Sequence, residues 1–326
     1  MSRTHIRGLR WWIAALLILS TTLNYFDRQA LSVLADTVQR ALGLSNQDYS
    51  KITSSFLLSY GVMYLLGGTL VDVLGVRRSL ALFVLGWSLA TVGHGLAVSL
   101  AHLCVARFLL GVAQPGNFPA GVRAVSEWFP MRERAMAVGL FNAGTALGST
   151  LAMPAVSALA LKWGWRGAFI AAGAAGLVWL AAWWRLYRPP ADHPWLSPEE
   201  LALIREGAAG GASARSHIPW TWLLRTRETW GCVAVRILTD PISYFLAFWT
   251  PKYLQAERGF DLQQVGALAW LPFLGMALGS TAGGAVPRWL TAHGWTVNRA
   301  RKTTMALVAL TMPLLCLMIT RIASLP

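Results

Sequence analysis

The hexapeptide Asn24-Tyr25-Phe26-Asp27-Arg28-Gln29 puts a carboxylate beside a guanidinium in the middle of an apolar run from Trp11 to Leu34. An isolated charge in hydrocarbon costs several kcal/mol, so both groups are expected to face a cavity or to pair with groups on other helices. Asn24, Asp27 and Arg28 stand three and four residues apart and share a broad helix face, with Gln29 beside them. Adjacent side chains on a helix diverge, so Asp27 and Arg28 need not neutralise one another. One can manage a proton while the other holds an anion. A second polar line is formed by Arg107 and Gln114, seven residues or two turns apart and therefore on nearly one face. Glycines 111 and 116 and prolines 115 and 119 bend that stretch and bring it close to a neighbour. Arg107 also reads as an interfacial positive residue. Arg236 and Asp240 form a third charged set, four residues apart and able to satisfy each other within one helix, with Pro241 breaking the backbone ladder next to them.

The elements that position these groups follow from composition. The 326-residue chain is 55% hydrophobic and 13% charged, about half the charge of an ordinary soluble domain. Its solvent is therefore lipid over most of its length. Nine apolar stretches are long enough to span about 30 Å of hydrocarbon: approximately 12–35, 50–71, 79–99, 101–122, 135–160, 166–186, 230–254, 262–286 and 303–320. Arginines gather at alternate connections: Arg3, Arg7 and Arg10, then Arg77 and Arg78, Arg132 and Arg134, Arg185 and Arg188, and finally Arg288, Arg299, Arg301 and Lys302. The intervening loops are poorer in base, which places the N-terminus and the even-numbered loops in the cytoplasm.

The net charge of +14 is distributed as punctuation between spans and forms no compact basic and aromatic surface, so nucleic-acid binding is not indicated. Cys104, Cys232 and Cys316 lie in apolar stretches without metal-ligand spacing and read as small buried thiols. There is no metal set, nucleophile elbow or phosphate loop, and no cofactor is expected. The stretch from Tyr187 to about Thr229 is rich in proline, acid and small residues. It reads as a linker carrying a short surface helix that Ser197-Pro198-Glu199-Glu200 starts. Residues 1–187 then form a six-helix bundle, 188–229 a cytoplasmic linker, and 230–326 three helices of a second bundle.

The loop after the second span reads Gly67-Gly68-Thr69-Leu70-Val71-Asp72-Val73-Leu74-Gly75-Val76-Arg77-Arg78. Its glycines permit close helix approach and a tight reversal, and Asp72 can cap N–H groups or pair with an arginine. Gly68, Leu70, Asp72, Gly75, Arg77 and Arg78 match the G-x-L-x-D-x-x-G-x-R-R signature of this loop in the major facilitator superfamily, which the chain resembles. Asn24 to Arg28, Gly116 to Pro130, Gly139 to Gly144 and Trp249-Thr250-Pro251-Lys252-Tyr253-Leu254 resemble the anion:cation symporter branch, above all its hexuronate and aldonate transporters.

The resemblance implies an all-α membrane protein of major facilitator-type helical bundles, with about nine transmembrane helices present of an expected twelve. It further implies a multi-pass monomer of the inner membrane that moves a small organic anion with H+ by alternating access. Asp27 is then the proton-coupling residue. Arg28 and Arg107 hold the carboxylate, and Asn24, Tyr25, Tyr60, Gln114 and Asn142 meet hydroxyls. Trp249 takes a gating and substrate-facing position, and Gly68, Asp72, Gly75, Arg77 and Arg78 form a conformational latch. Relatives commonly have glutamate where this chain has Gln114, which hydrogen-bonds but cannot titrate. Transport of another carboxylate such as an aromatic acid, anion exchange, and sodium coupling are alternatives. A non-transporting substrate sensor and an intramembrane enzyme are the alternatives of other classes.

Overall fold

The structure is a computed structural model that describes residues 5–209 and 220–321. Arg3 and the Gly/Ala/Ser-rich part of the linker from 210 onward lie outside the described residues, as does the side chain of Cys316. Every described element is helical: α1 (Leu9–Val33), α2 (Ala35–Leu42), α3 (Asn46–Gly95), α4 (Leu100–Ala113), α5 (Asn117–Trp128), α6 (Met131–Leu186), α7 (Pro198–Ala209), α8 (Trp220–Arg225), α9 (Arg227–Ala256), α10 (Leu262–Leu268), α11 (Leu271–Ala292) and α12 (Val297–Arg321).

Two of these are double spans. α3 turns back at Gly75 (φ 73°, ψ 162°) and α6 at Gly164 (φ 71°, ψ 169°). Both lie in the positive-φ region that a side chain resists, so an L-residue with a Cβ would strain either reversal. Counting two arms each for α3 and α6, and taking α4 with α5 and α10 with α11 as single broken spans, nine crossings are present among the described residues. Four described helical stretches are long and apolar enough to cross a membrane by composition: Asn46–Gly95, Met131–Leu186, Arg227–Ala256 and Leu262–Ala292. α1 falls outside that set although its 25 residues reach about 37 Å, because it carries Arg10, Asp27 and Arg28. Large apolar side chains such as Leu58, Val62, Leu65, Val73, Leu82, Phe108 and Val178 point outward, the arrangement expected where the surrounding solvent is lipid.

Residues through Leu271 form one compact unit and those from Pro272 a second. Within the first, α3 packs on α4 and on α6, and α1 packs on α6. The α1–α6 approach is close enough that a Cβ at Gly148 would come within 2.2 Å of the Thr22 carbonyl oxygen, the small-residue contact by which membrane helices bring backbones together. At one end of the unit the rings of Trp179, Trp183 and Tyr187 stack in series. There the linker closes on the bundle. Ser197 Oγ accepts from the Glu200 N–H (3.1 Å) at the start of α7, as the cap motif predicts. Glu200 in turn accepts from the Leu9 N–H (3.1 Å) and from Arg10 Nη1 (2.7 Å), and Arg10 Nε donates to Glu133 (2.9 Å). A carboxylate from α7 thus caps the N-terminus of α1, where the helix dipole favours it.

The second unit holds most of α11 and all of α12, joined through a turn at Gly294 (φ 86°). Cys232 on α9 is exposed and Cys104 only half-buried, which corrects the buried-thiol expectation for both. A thiol is only weakly polar, so burial in protein is not required of it where the solvent is lipid.

Candidate functional site

α1 and the α4–α5 break build the site. The helix stops at Ala113 and restarts at Asn117, so Gln114 sits where backbone groups are released from the ladder. The Gln114 carbonyl accepts from Asn24 Nδ2 (3.3 Å), and its side-chain Nε2 donates to the Asn24 carbonyl (2.8 Å). Its Oε1 accepts from Arg28 Nε (3.1 Å), while Arg28 Nη2 reaches Asn24 Oδ1 (3.5 Å). Arg28 also lies over the rings of Tyr25 (4.4 Å), Tyr60 (4.7 Å) and Phe56 (5.3 Å), an arrangement that stabilises a desolvated cation. A neighbouring pair, Ser20 with Asn117 and Asn117 with Thr21, each at 3.0 Å, continues the α1–α5 polar seam.

Arg107 arrives from α4. It is buried, which removes the interfacial reading, and its Nη2 donates to the Arg28 carbonyl (2.9 Å). Its guanidinium faces Phe56 (5.2 Å) and Phe248 (5.8 Å). Nε and Nη1 of Arg107 are buried without hydrogen-bond partners. Close approach makes this possible: a Cβ at Gly111 would fall 2.1 Å from Ser59 Oγ and 2.5 Å from the Phe56 carbonyl.

Asp27 is 1% exposed, and neither carboxylate oxygen makes a hydrogen bond of ordinary geometry. It diverges from Arg28, and Thr91 on α3 and Arg107 on α4 are its polar neighbours. A buried carboxylate so placed is costly unless something completes it.

Asn24, Tyr25, Asp27, Arg28, Tyr60, Arg107 and Gln114 therefore converge. Asn142 does not: it lies on the exposed face of α6, one position past the buried Phe141. Trp249 stands apart as well, edge-on to Tyr49 (5.2 Å) and stacked along Phe245. It belongs to a seam where α9 closes on α1, α2 and the start of α3. Pro251 cannot donate to the Ala247 carbonyl. Ser32 Oγ donates there instead (3.0 Å) and to the Phe248 carbonyl (2.9 Å), which also accepts from Tyr49 O–H (2.9 Å). Lys252 Nζ bonds Gln39 Oε1, and Gln255 Nε2 donates to the Val33 carbonyl. A recess of about 540 Å³ lies beside this seam, lined among others by Thr53, Arg236, Asp240, Tyr244 and Phe248. Neither Asp27 nor Arg28 lines it; Phe248 is shared between the recess and the Arg107 environment.

At the Gly75 bend, Asp72 pairs with Arg123 on α5, and Arg123 Nε pairs with Glu127 (3.2 Å). Arg77 donates to the Trp184 carbonyl (2.6 Å) and lies over the Trp184 ring. Arg78 is exposed, and Gly68 has open space where a Cβ would be. Its neighbour Gly67 makes the close approach, 3.4 Å from Gly116 Cα for an added Cβ. Arg123 and Glu127 stand four residues apart, a spacing that allows a pair, but nothing in it signals their partner on α3. Ser32 and Tyr49 carried no signal at all; Pro251 shows that the Ala247 carbonyl needs a donor, not which side chain supplies it.

His94, buried and stacked on Phe169 (5.2 Å), is a packed histidine. Among the described residues no cluster of His, Cys, Asp or Glu is arranged to hold a metal.

Comparison with known proteins agrees with this architecture. The chain is 38% identical over 287 residues to a galacturonate transporter of Dickeya chrysanthemi, covering 86% of this chain and 82% of that one. It is 36% identical over 290 residues to a hexuronate transporter of Escherichia coli K12, covering 87% and 67%. Among solved structures it superposes on a bacterial homologue of the human lysosomal transporter Spinster in an inward-facing, unoccupied conformation. That match has a TM-score of 0.68 at 23% identity and covers 88% of this chain and 64% of the other, so the chain spans about two thirds of that structure's length. Residues 17–326 match the profile of the Major Facilitator Superfamily, and this chain of multiple membrane spans belongs to that family of transporters, not to a family of enzymes.

Proposed function

We propose that the protein carries a monovalent sugar acid, a hexuronate or aldonate, together with one H+ by alternating access. The observation that carries this reading is the wholly buried, unpartnered Asp27 carboxylate beside two buried arginines, one of which keeps two N–H-bearing nitrogens unpaired. Arg28 and Arg107 take the substrate carboxylate, for which the guanidinium fork is suited. Asn24, Tyr25, Tyr60 and Gln114 are placed to meet hydroxyls. A proton is the smallest partner that completes Asp27. Once it is bound, the remaining charge in the site is that of two guanidiniums, so proton and anion each favour the other's binding, a reciprocal coupling. Proton plus monoanion is electrically neutral cargo, and an inward proton gradient drives uptake despite a negative interior.

With the N-terminus cytoplasmic, the seam around Ser32, Tyr49 and Lys252 closes the outer side, and the Asp72–Arg123 latch lies on the inner one. In this reading residues 1–187 act as one half-bundle, 188–229 as the cytoplasmic linker and 230–326 as part of the second half, in a monomer of the inner membrane. Names of the relatives support a uronate; the rings of Tyr25, Phe56 and Tyr60 around Arg28 favour an aromatic carboxylate as the second reading.

The test is uptake into proteoliposomes of a panel of sugar acids and aromatic acids under an imposed pH gradient. Asp27→Asn should abolish gradient-driven accumulation while retaining exchange of substrate across the membrane. Accumulation by that variant equal to wild type would overturn the coupling assignment. Preference for aromatic acids would replace the sugar-acid assignment.

A further inference from the structure

A second recess, of about 580 Å³, lies between the Gly75 bend of α3 and the linker helix α7. Its polar lining is unbalanced. Arg77, Arg78 and Arg205 contribute three guanidiniums, and Glu127 the one carboxylate. That carboxylate is engaged, with Oε1 on Arg123 Nε and Oε2 accepting from Tyr187 O–H (3.1 Å). Arg78 and Arg205 are exposed and form no ion pair among the described residues. Arg77 spends Nη2 on the Trp184 carbonyl, but its Nε is buried without an acceptor. Leu74, Leu201 and Ile204 supply apolar walls, and Ser126 and Tyr187 are the neutral polar lining. Outside the bend, Val73 is 76% exposed, on a surface with the character of the lipid-facing sides of the helices. Cationic donors and apolar walls in one recess match the two chemistries of a phospholipid: a phosphodiester and the start of an acyl chain.

We propose that this recess binds the headgroup of an anionic phospholipid, with Arg78 and Arg205 holding the phosphate and Arg77 Nε completing it. Anionic headgroups concentrate on the cytoplasmic leaflet and are drawn to basic pockets at helix ends there. Because Arg78 belongs to α3 and Arg205 to α7, one bound headgroup ties the linker to the loop that carries the Asp72–Arg123 pair. The site stands independently of which substrate the protein carries.

Native mass spectrometry of the purified full chain, given phosphatidylglycerol and phosphatidylethanolamine at equal concentration, reads this directly. Wild type should retain phosphatidylglycerol in preference. The double variant Arg78→Gln/Arg205→Gln, which alters only exposed side chains, should lose about 30-fold of that preference, from roughly one surface cation's attraction each. Arg40→Gln, on α2 at the other end of the bundle, should keep it. Equal preference in the double variant and wild type, or equal loss in Arg40→Gln, overturns the site. Inorganic phosphate that displaces phosphatidylglycerol from wild type at low millimolar concentration would identify a soluble phosphate as the occupant and overturn the lipid assignment.

Discussion

Two acid–arginine sets lie in membrane spans of this protein and behave in opposite ways. On α9, Arg236 and Asp240 are four residues apart and pair at 3.1 Å, the arginine exposed and the aspartate half-buried. On α1, Asp27 and Arg28 are adjacent, both buried and unpaired with each other. The spacing accounts for the difference. Residues at i and i+4 face the same way and satisfy each other locally, whereas neighbours point about 100° apart and must be completed by other elements. Arg28 finds Gln114, Asn24 and three rings; the Asp27 carboxylate is left without a hydrogen bond. A self-satisfied pair needs no ligand, and an unsatisfied one invites it.

Neutralising the acid in each set gives the widest separation. Asp27→Asn should reduce proton-driven accumulation in proteoliposomes by about 100-fold or more, in the range lost when a positioned proton carrier is removed. Asp240→Asn should leave it within about two-fold, since an exposed pair contributes about 0–1 kcal/mol. Similar losses in both would dissolve the contrast. Arg28→Lys keeps the charge but forfeits the fork shared among Gln114, Asn24 and an incoming carboxylate. Substrate affinity by isothermal titration should fall about ten-fold, whereas Arg236→Lys should leave it unchanged.

Gln114→Glu sharpens the comparison by giving Arg28 a charged partner of its own. A carboxylate there competes with the substrate's, so apparent affinity should weaken about three-fold at neutral pH and recover as the pH is lowered, a dependence absent from wild type at that position. An unchanged pH profile of binding would show that residue 114 does not share Arg28 with the anion.

The smallest effect belongs to the linker. His193 is buried against Trp128, with Nε2 3.0 Å from the Leu186 carbonyl and Nδ1 accepting from the Trp195 N–H (3.3 Å). Burial pushes its imidazole below the usual range, the Leu186 carbonyl opposes that shift, and Arg188 adds to it. The folded protein thus prefers the neutral ring. Its contribution to docking is complete above the ordinary histidine value of about 6.5 and is lost as pH falls through it toward the lowered one. Proteolysis of the linker in purified protein should accelerate about two-fold between pH 7.5 and 5.5, and His193→Gln should flatten that rise.

Much of the architecture was legible because lipid imposes strong rules. Span length, the arginine punctuation and the glycine reversal at Gly75 can be read from residue types alone, and span length sets nine crossings before any contact is known. The Arg236–Asp240 pair was legible for the same reason: its geometry is contained within one helix. The buried cluster was legible only in part. Helix periodicity put Asn24, Asp27 and Arg28 on one side of α1 and Arg107 and Gln114 on one side of α4, but periodicity has no information on what faces them.

Asn142 and Trp249 show that limit. Both had suitable chemistry, yet one is exposed on α6 and the other sits in the α9 seam, because the face a helix buries is chosen by its neighbours. The amino-acid sequence by itself determined a membrane protein of this family, its spans and the supply of groups able to hold an anion and a proton. Tertiary packing alone decided that Gln114 engages Arg28, that Arg107 donates to the Arg28 backbone, that Asp72 finds Arg123, and that Asp27 is left without a partner. Each of those outcomes depends on the approach of two helices separated by many residues in the chain, and such an approach is selected by the whole bundle's packing.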